Sequence, residues 1–308
     1  MSLTITPAKR KAVPMLISLS GVSGSGKTYS ALLLAAGLAG KGSVGFLDTE
    51  NGRGSMYADS PGIMAALPDG YEIAEIKEPF APSRYSDAIE AFEKHGCKVL
   101  VIDSMTHEWE GHGGCSDIAE NNKLRGMPNW ARAKMEHKRM MNHLLASSMH
   151  LIFCLRAREK TLIVKDAQGK EQFVPKGLQP VQEKNFAFEM TLSLLLEEGT
   201  HRPVVTKCPE PLLPLFAGEQ PLVTKDMGRK LRAWSEGGAP AEENPEVLFR
   251  QGTEYAALGT TSYTDFWETL TGKQKKVLLP KHEENKALAR MADDRQKAAE
   301  APPAELKF

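Results

Sequence analysis

The sequence predicts an α/β fold, with a mainly parallel central sheet and a small helical module behind it. Three observations carry this. Short apolar runs alternate with helix-like stretches over most of the first 217 residues, the pattern of strand–helix–strand units joined by right-handed crossovers. The run "KVLVID" is continuously apolar, as a strand covered on both faces must be. A glycine loop, Gly21-x-x-x-x-Gly26-Lys27-Thr28, stands between the first apolar run and the first helix-like stretch.

Taken in order, "MLISLS" reads as a buried strand and "TYSALLLAAGLAGKG" as a helix stopped at Gly40 or Gly42. "SVGFLDTE" is a short strand ending in acids, and "YEIAEIK" alternates like an edge strand. "RYSDAIEAFEKHG" is amphipathic and closes on glycine, so it is a helix; "CKVLVIDS" is the next strand. The stretch from "HEWEGHGG" to "RGMPN" is polar and glycine-rich and reads as loop. "WARAKMEHKRMMNHLLASS" is a helix, "HLIFCLRARE" a buried strand, and "TLIVKDAQGKEQFV" a hairpin turning at Gln168-Gly169. "FEMTLSLLLE" and "RPVVTKC" read as further, mostly antiparallel strands. This divides the chain into a core over residues 1–236, a Gly/Pro/acid linker over 237–247, a module of three or four short helices over 248–300, and a frayed tail over 301–308.

The composition, 41% hydrophobic and 25% charged, is that of a globular domain. Lys+Arg and Asp+Glu balance at 39 each, so any polyanion must be held by local patches rather than by a global field. Four scattered cysteines without a CxxC pair, and an N-terminal apolar run that flows into a glycine loop rather than a cleavage site, point to a reducing cytoplasm. No run is long and apolar enough for a membrane span.

Each residue of the loop has a reason. Gly21, Gly24 and Gly26 let the backbone bring N–H groups against phosphate oxygens, with Val22, Ser23 and Ser25 between them. The helix that begins near Lys27, and carries Tyr29, adds its positive dipole end. Lys27 reaches the β and γ phosphates, and the Thr28 hydroxyl ligates Mg²⁺. A second element, an acid that holds the Mg²⁺ through water, belongs at the end of another buried strand, where Asp103 stands. Hydrolysis also needs a base to orient water. Ser104, not a glutamate, follows Asp103, so the expected base is Glu50 at the end of "VGFLDTE", with Asp48 in support and Glu108 or Glu110 as fallback. Neighbouring parallel strands deliver such residues to one carboxyl edge. "NNKLRG" has Asn122-Lys123 but lacks the aspartate that reads guanine, which leaves ATP as the nucleotide.

The segments "SGVSGSGKT", "GFLDTENGRGSMYAD", "VLVIDS" and "VVTKC" resemble RecA-type recombinase cores from about Met15 to Ala217. They are most similar to the short RecA-like ATPases of phage recombination loci, companions of single-strand-annealing systems. The resemblance implies a RecA-like P-loop NTPase that uses ATP and Mg²⁺ in the cytoplasm of a bacterial host, with Glu50 as the water-activating residue. It implies a homo-oligomer with ATP at subunit interfaces, Lys207 (or Arg202) reaching the γ-phosphate of the adjacent subunit. Where recombinases carry an amide as γ-phosphate sensor, this chain reads Leu155-Arg156-Ala157-Arg158, a departure. Little chain precedes the first strand, so a ring or short oligomer is expected rather than a filament. The implied partners are single-stranded DNA and a single-strand-binding or annealing protein.

Two segments are expected at the DNA. One carries Lys123, Arg125 and Trp130; the other carries Arg156, Arg158, Lys160, Lys165 and Lys170. Cations there release counterions from a phosphate strand, and an aromatic stacks on a base. His107, His112 and Cys115 lack a fourth ligand and are not read as a zinc site. Phe266 and Trp267 are read as core of the helical module, within a segment similar to short C-terminal pieces of phage recombination proteins. Two other functions share the loop: a nucleotide-gated scaffold that binds partners through that module, and a small-molecule kinase, for which "LRAREK" makes a thin lid.

Overall fold

In the computed structural model, residues 11–165, 171–217, 222–237, 245–270 and 272–300 are described. The chain divides into two compact units, Met1–Ala239 and Pro240–Phe308.

The first unit runs β1 (Leu16–Gly21), α1 (Lys27–Ala39), β2 (Val44–Asp48), a 3₁₀ turn (Arg53–Tyr57), α2 (Pro61–Ala66), β3 (Glu72–Glu75), α3 (Pro82–His95) and β4 (Val99–Asp103). It continues with α4 (Thr106–Glu110), α5 (Cys115–Asn121), α6 (Trp130–Ala146), β5 (His150–Lys165), β6 (Glu171–Pro180), α7 (Phe186–Glu189), β7 (Leu192–Leu196) and β8 (Pro203–Lys207). A second 3₁₀ segment (Glu210–Phe216) leads into α8 (Lys225–Glu236).

The strands form one sheet in the order β3-β2-β4-β5-β1-β7-β8, with β6 paired to β5. All pairs from β3 to β7 along this path are parallel; β5–β6 and β7–β8 are antiparallel. The α/β class with a mainly parallel sheet is therefore the fold. Strand β7, expected to be antiparallel, runs parallel to β1. Its run "LSLLL" is almost wholly buried, the pattern of a strand inside a parallel sheet.

Alternating side chains send the sheet's two faces into two cores. Ile17, Leu19, Val99 and Val101 pack on α1 and α8, while Leu16, Leu100 and Ile102 pack on α3 and α6. Helix α1 is buried nearly all round and stops at Gly40, whose φ of 64° a side-chain-bearing residue rarely adopts. Helix α3 buries Tyr85, Ile89 and Phe92 at helical spacing. Asn129 caps α6, accepting a hydrogen bond from Ala131 N at 3.1 Å, and Thr224 caps α8 through Met227 N at 3.3 Å.

The stretch read as loop after β4 instead folds into α4 and α5. Cys115 and Ala119 bury against Ala133 of α6, so tertiary contact supplies what glycine-rich local sequence does not. Strand β5 lies in the sheet over its first half; beyond Arg156 it continues past a bulge at Lys160/Thr161 as a hairpin with β6. The expected turn at Gln168-Gly169, and Lys170, lie outside the described residues, as do 238–244 of the expected linker and the tail 301–308.

The second unit holds α9 (Pro245–Ala257), α10 (Thr260–Thr269) and α11 (Gly272–Glu300). Its core gathers Leu248, Tyr263, Phe266, Leu270 and Leu278, with Trp267 packed at its edge against His282. The module, expected as three or four short helices, shows three among the described residues, and the stretch from Gly272 onward is the one long helix α11, with Pro280 inside it. Among the described residues no helix is long and apolar enough to cross a membrane.

Candidate functional site

The carboxyl ends of β1, β2, β4 and β5 meet at one edge of the sheet, because these strands are parallel and in register: Asp48 sits beside Asp103, and Gly21 beside Arg156. A cavity of about 510 Å³ opens there, in the range of small-molecule sites. Val22, Ser23, Gly24, Gly26, Lys27 and Thr28 line it from the loop; Glu50, Arg53, Met56 and Tyr57 from the segment after β2; Asp103 from β4; and Arg156, Ala157 and Arg158 from β5.

The remaining loop residues support it from behind. Gly21 has no room for a Cβ, which would lie 2.3 Å from Ser25 Oγ. Ser25 is fully buried, and its hydroxyl has no hydrogen-bond partner within the protein. Tyr29 packs against Tyr57, with ring centroids 6.2 Å apart. Gly24 and Gly26 take φ of 81° and 86°, the left-handed conformation that glycine adopts without steric cost.

Lys27 folds its amine back onto the loop, donating to Gly21 O at 3.1 Å and Val22 O at 2.7 Å. Burial draws its pKa below the ordinary lysine value, against the pull of Asp103 and Glu50. The Thr28 hydroxyl donates to Asp103 Oδ2 at 2.5 Å. Asp103 is 6% exposed, and burial pushes its pKa up to about 6 although Thr28's hydrogen bond works the other way. A hydroxyl and a carboxylate in contact, beside a lysine whose amine is turned back onto the loop, make a hard-oxygen donor set of the kind Mg²⁺ takes.

Glu50 lies in the same cavity, its side chain 13% exposed between two guanidinium groups. Arg156 donates to Glu50 Oε1 through Nη2 at 2.7 Å and Nε at 3.1 Å, and Arg53 donates to Oε2 at 2.8 Å. Burial alone would raise this carboxyl's pKa; the Arg156 bond, with Arg53 and His107, outweighs it and holds the pKa below the usual range. Asp48 supports Glu50 through the backbone. Its carboxylate accepts from Glu50 N and Gly54 N, each at 2.6 Å, and so shapes the turn that presents Glu50.

Sequence reasoning missed the knot beneath this turn. The Thr49 hydroxyl accepts from Ser104 N at 2.7 Å and lies 3.1 Å from Ser104 O and 2.8 Å from His107 Nδ1; Thr49 N donates to Asp103 O at 2.8 Å. It ties the end of β2 to the end of β4. Arg53 and the pairing of Arg156 with Glu50 were missed as well. The motif "DTENGR" held the first in plain view, but nothing local signals the second.

Other expected residues fall elsewhere. Lys207 is away from the cavity of its own chain, donating to Phe188 O at 2.6 Å and Ala187 O at 3.2 Å. Arg158 pairs with Glu110, and Lys160 is exposed on the hairpin. Arg125 is exposed at a φ of 51° in the turn closed by the Leu124–Met127 bridge. Lys165 closes β5, and its side chain lies outside the described residues. His107, His112 and Cys115 separate, to Thr49, Asp117 and Glu108 respectively.

The AAA domain family profile matches residues 14–209. The chain belongs to the AAA domain family. Its AAA domain is an ATPase-type P-loop domain, and the matched span runs from just before β1 to just after β8, so it contains every residue of the cavity. Among solved structures, the chain is similar to a unique ATP synthase subunit, NeqB, from Nanoarcheaum equitans, at 13% identity and a TM-score of 0.37, over 94% of this chain and 75% of that one. It is also similar to a prototypical ATPase from the type III secretion system of pathogenic bacteria, at 16% identity and a TM-score of 0.41, over 78% of this chain and 67% of that one. No curated protein matches the AAA domain chain.

Proposed function

We propose that this AAA domain protein is a Mg²⁺-dependent ATPase that acts on single-stranded DNA in phage recombination or annealing, working as a homo-oligomer with ATP between subunits. The observation that carries the reading is the placement of Glu50. Its carboxylate lines the cavity of the phosphate loop and is held by an arginine on β5, the strand that runs on as the basic hairpin.

In this mechanism Lys27 leaves the carbonyls of Gly21 and Val22 for the β and γ phosphates. Thr28 and Asp103 would hold Mg²⁺, which when bound would neutralise phosphate charge. Glu50 orients a water and takes its proton, and Arg53 and Arg156 are placed to meet charge growing on the phosphoryl oxygens. A strand laid along the hairpin would draw Arg156 away from Glu50, so DNA binding and hydrolysis would be coupled through one side chain.

Assembly is supported by the hairpin itself. Leu162, Ile163, Val164, Phe173 and Val174 are all exposed on it, Phe173 at 72%, and a neighbouring subunit packed on the hairpin would cover them. Lys207 would serve a neighbouring subunit only after leaving its carbonyls on α7. The second reading, a nucleotide-gated scaffold, draws on the C-terminal unit, where Tyr263, Trp267, His282 and Arg290 line a cleft of about 310 Å³. ATP turnover measured with and without single-stranded DNA tests the first reading. Turnover should rise with DNA and vanish in Lys27→Ala; turnover indifferent to DNA at low salt contradicts it.

A further inference from the structure

Between α4, α5 and α6 lies a cluster that the nucleotide chemistry does not use. Glu108 of α4, Cys115 at the start of α5 and His137 of α6 are all buried, the first two completely. Their side-chain ends converge. Glu108 Oε1 accepts from Cys115 Sγ at 3.1 Å and lies 3.0 Å from His137 Nδ1, and the sulfur, nitrogen and oxygen all fall within 4.8 Å of one another. A sulfur, an imidazole nitrogen and a carboxylate oxygen are the ligand types that Zn²⁺ takes.

A glycine turn brings the first two together. Gly111 N donates to His107 O and Gly114 N to Gly111 O, each at 2.8 Å. A Cβ on Gly114 would lie 2.6 Å from Glu108 O, so it is bare backbone that folds Cys115 back over Glu108. The histidines nearer in sequence turn away, His107 to Thr49 and His112 to Asp117. The third member comes instead from α6, where Trp109 holds the His137 ring edge-on at 5.6 Å.

Two features favour an ion over a knot of hydrogen bonds alone. The first is charge. Glu108 has no exposure, and among the described residues no lysine or arginine pairs with it. Buried carboxylates are ordinarily paired or metal-bound. Imidazole and thiol crowd the same oxygen, Oε1, while Oε2 accepts from Gln182 Nε2 at 3.3 Å. That amide also donates to Met105 O at 2.9 Å, so it fixes the carboxylate as the outer partner of a metal ligand does. The second is packing. Helices α4 and α5 hold five and seven residues, too few to be stable alone. The buried apolar cluster beneath them is Cys115, Ala119 and Ala133, with Trp109 and Ile118 at its edge. So small a core gains from a metal staple for the reason that small domains do.

Size agrees. Bonds of about 2.0–2.3 Å to a tetrahedral ion set its ligating atoms about 3.3–3.6 Å apart. The separations of 3.0 and 3.1 Å open to this by small side-chain rotations.

We infer that Glu108, Cys115 and His137 bind one divalent transition-metal ion of the Zn²⁺ class, a structural site that clips α5 and α6 to α4. The remaining coordination position falls to Glu108 Oε2 or to water. The site is independent of the proposed function and stands whether or not the protein hydrolyses ATP or binds DNA.

The test adds Zn²⁺ or Co²⁺ to the chelator-treated, full-length protein in the absence of nucleotide. One Zn²⁺ per chain should persist through gel filtration and raise the melting temperature. Co²⁺ should give a thiolate-to-metal charge-transfer band, which the oxygen ligands of the nucleotide site cannot produce. Cys115→Ala should abolish the band, and His137→Gln should weaken Zn²⁺ binding by more than about 10-fold. Cys208→Ser should leave both as in the wild type. A wild-type protein that retains no Zn²⁺, or whose Co²⁺ spectrum lacks the thiolate band, overturns the inference. So does a band that persists in Cys115→Ala, since another cysteine then holds the ion. If Cys115→Ala does not fold, the wild-type spectrum and the size-preserving Cys115→Ser, which should also lose the band, decide the matter.

Discussion

Asp103 carries its charge at neutral pH in a place that resists it, 6% exposed with a pKa pushed up to about 6. Because the folded pKa lies above the ordinary value of about 3.9, the proton favours the fold. This contribution is full below about pH 4 and is lost as pH rises through about 6. Asp103→Asn should therefore be more stable than wild type at pH 8, by up to about 3 kcal/mol, with the gain shrinking toward pH 4. The same variant should lose the rise in melting temperature that Mg²⁺ and ATP give the wild type. Thermal melts across pH, with and without nucleotide, check both halves; an asparagine variant less stable at pH 8 contradicts the electrostatic account. At this scale the sequence was legible where chemistry is local. The phosphate loop and the acid after "KVLVI" announce themselves through residue type and spacing. Arg156 does not, since its partner Glu50 is 106 positions away and only the parallel register of β2, β4 and β5 brings the two together.

Among elements, the contact of α1 with α8 is closest to its limit. A Cβ on Gly37 would lie 2.2 Å from Lys225 O, and one on Gly228 would lie 2.3 Å from Leu34 O, so the two backbones touch through a pair of glycines. Gly228→Val should destabilise the protein by about 3 kcal/mol in urea unfolding, since neither backbone can move without disturbing the core beneath. Gly199, with φ of 79° and nothing within 4 Å of a Cβ, should tolerate asparagine with little loss. Helix α8 itself escaped sequence reading, although Thr224 and the amphipathic run behind it are a cap and a helix. A neighbouring proline-rich stretch and linker hid it. Strand direction was hidden for a different reason: "LSLLL" fixes burial, but whether β7 runs up or down depends on how the chain returns from the hairpin. Helices α4 and α5 draw their stability from packing on α6, which no local window contains.

For the molecule as a whole, the phosphate-loop cavity and the strands that build it lie within Met1–Ala239, and the C-terminal unit has its own core. Truncation after Ala239 should leave a folded chain with ATP turnover near the full-length level. Loss of partner binding alone in that truncation would favour the scaffold reading for the C-terminal unit, whereas loss of turnover would show that the unit completes the enzyme. The central claim is narrower, that Lys27, Thr28 and Asp103 hold the nucleotide and its metal while Glu50 acts on water. Single-turnover hydrolysis by Glu50→Gln, with ATP binding measured on the same sample, tests it most directly. The account predicts binding like the wild type and hydrolysis slower by on the order of 10²-fold or more. A variant that hydrolyses ATP at the wild-type rate contradicts it.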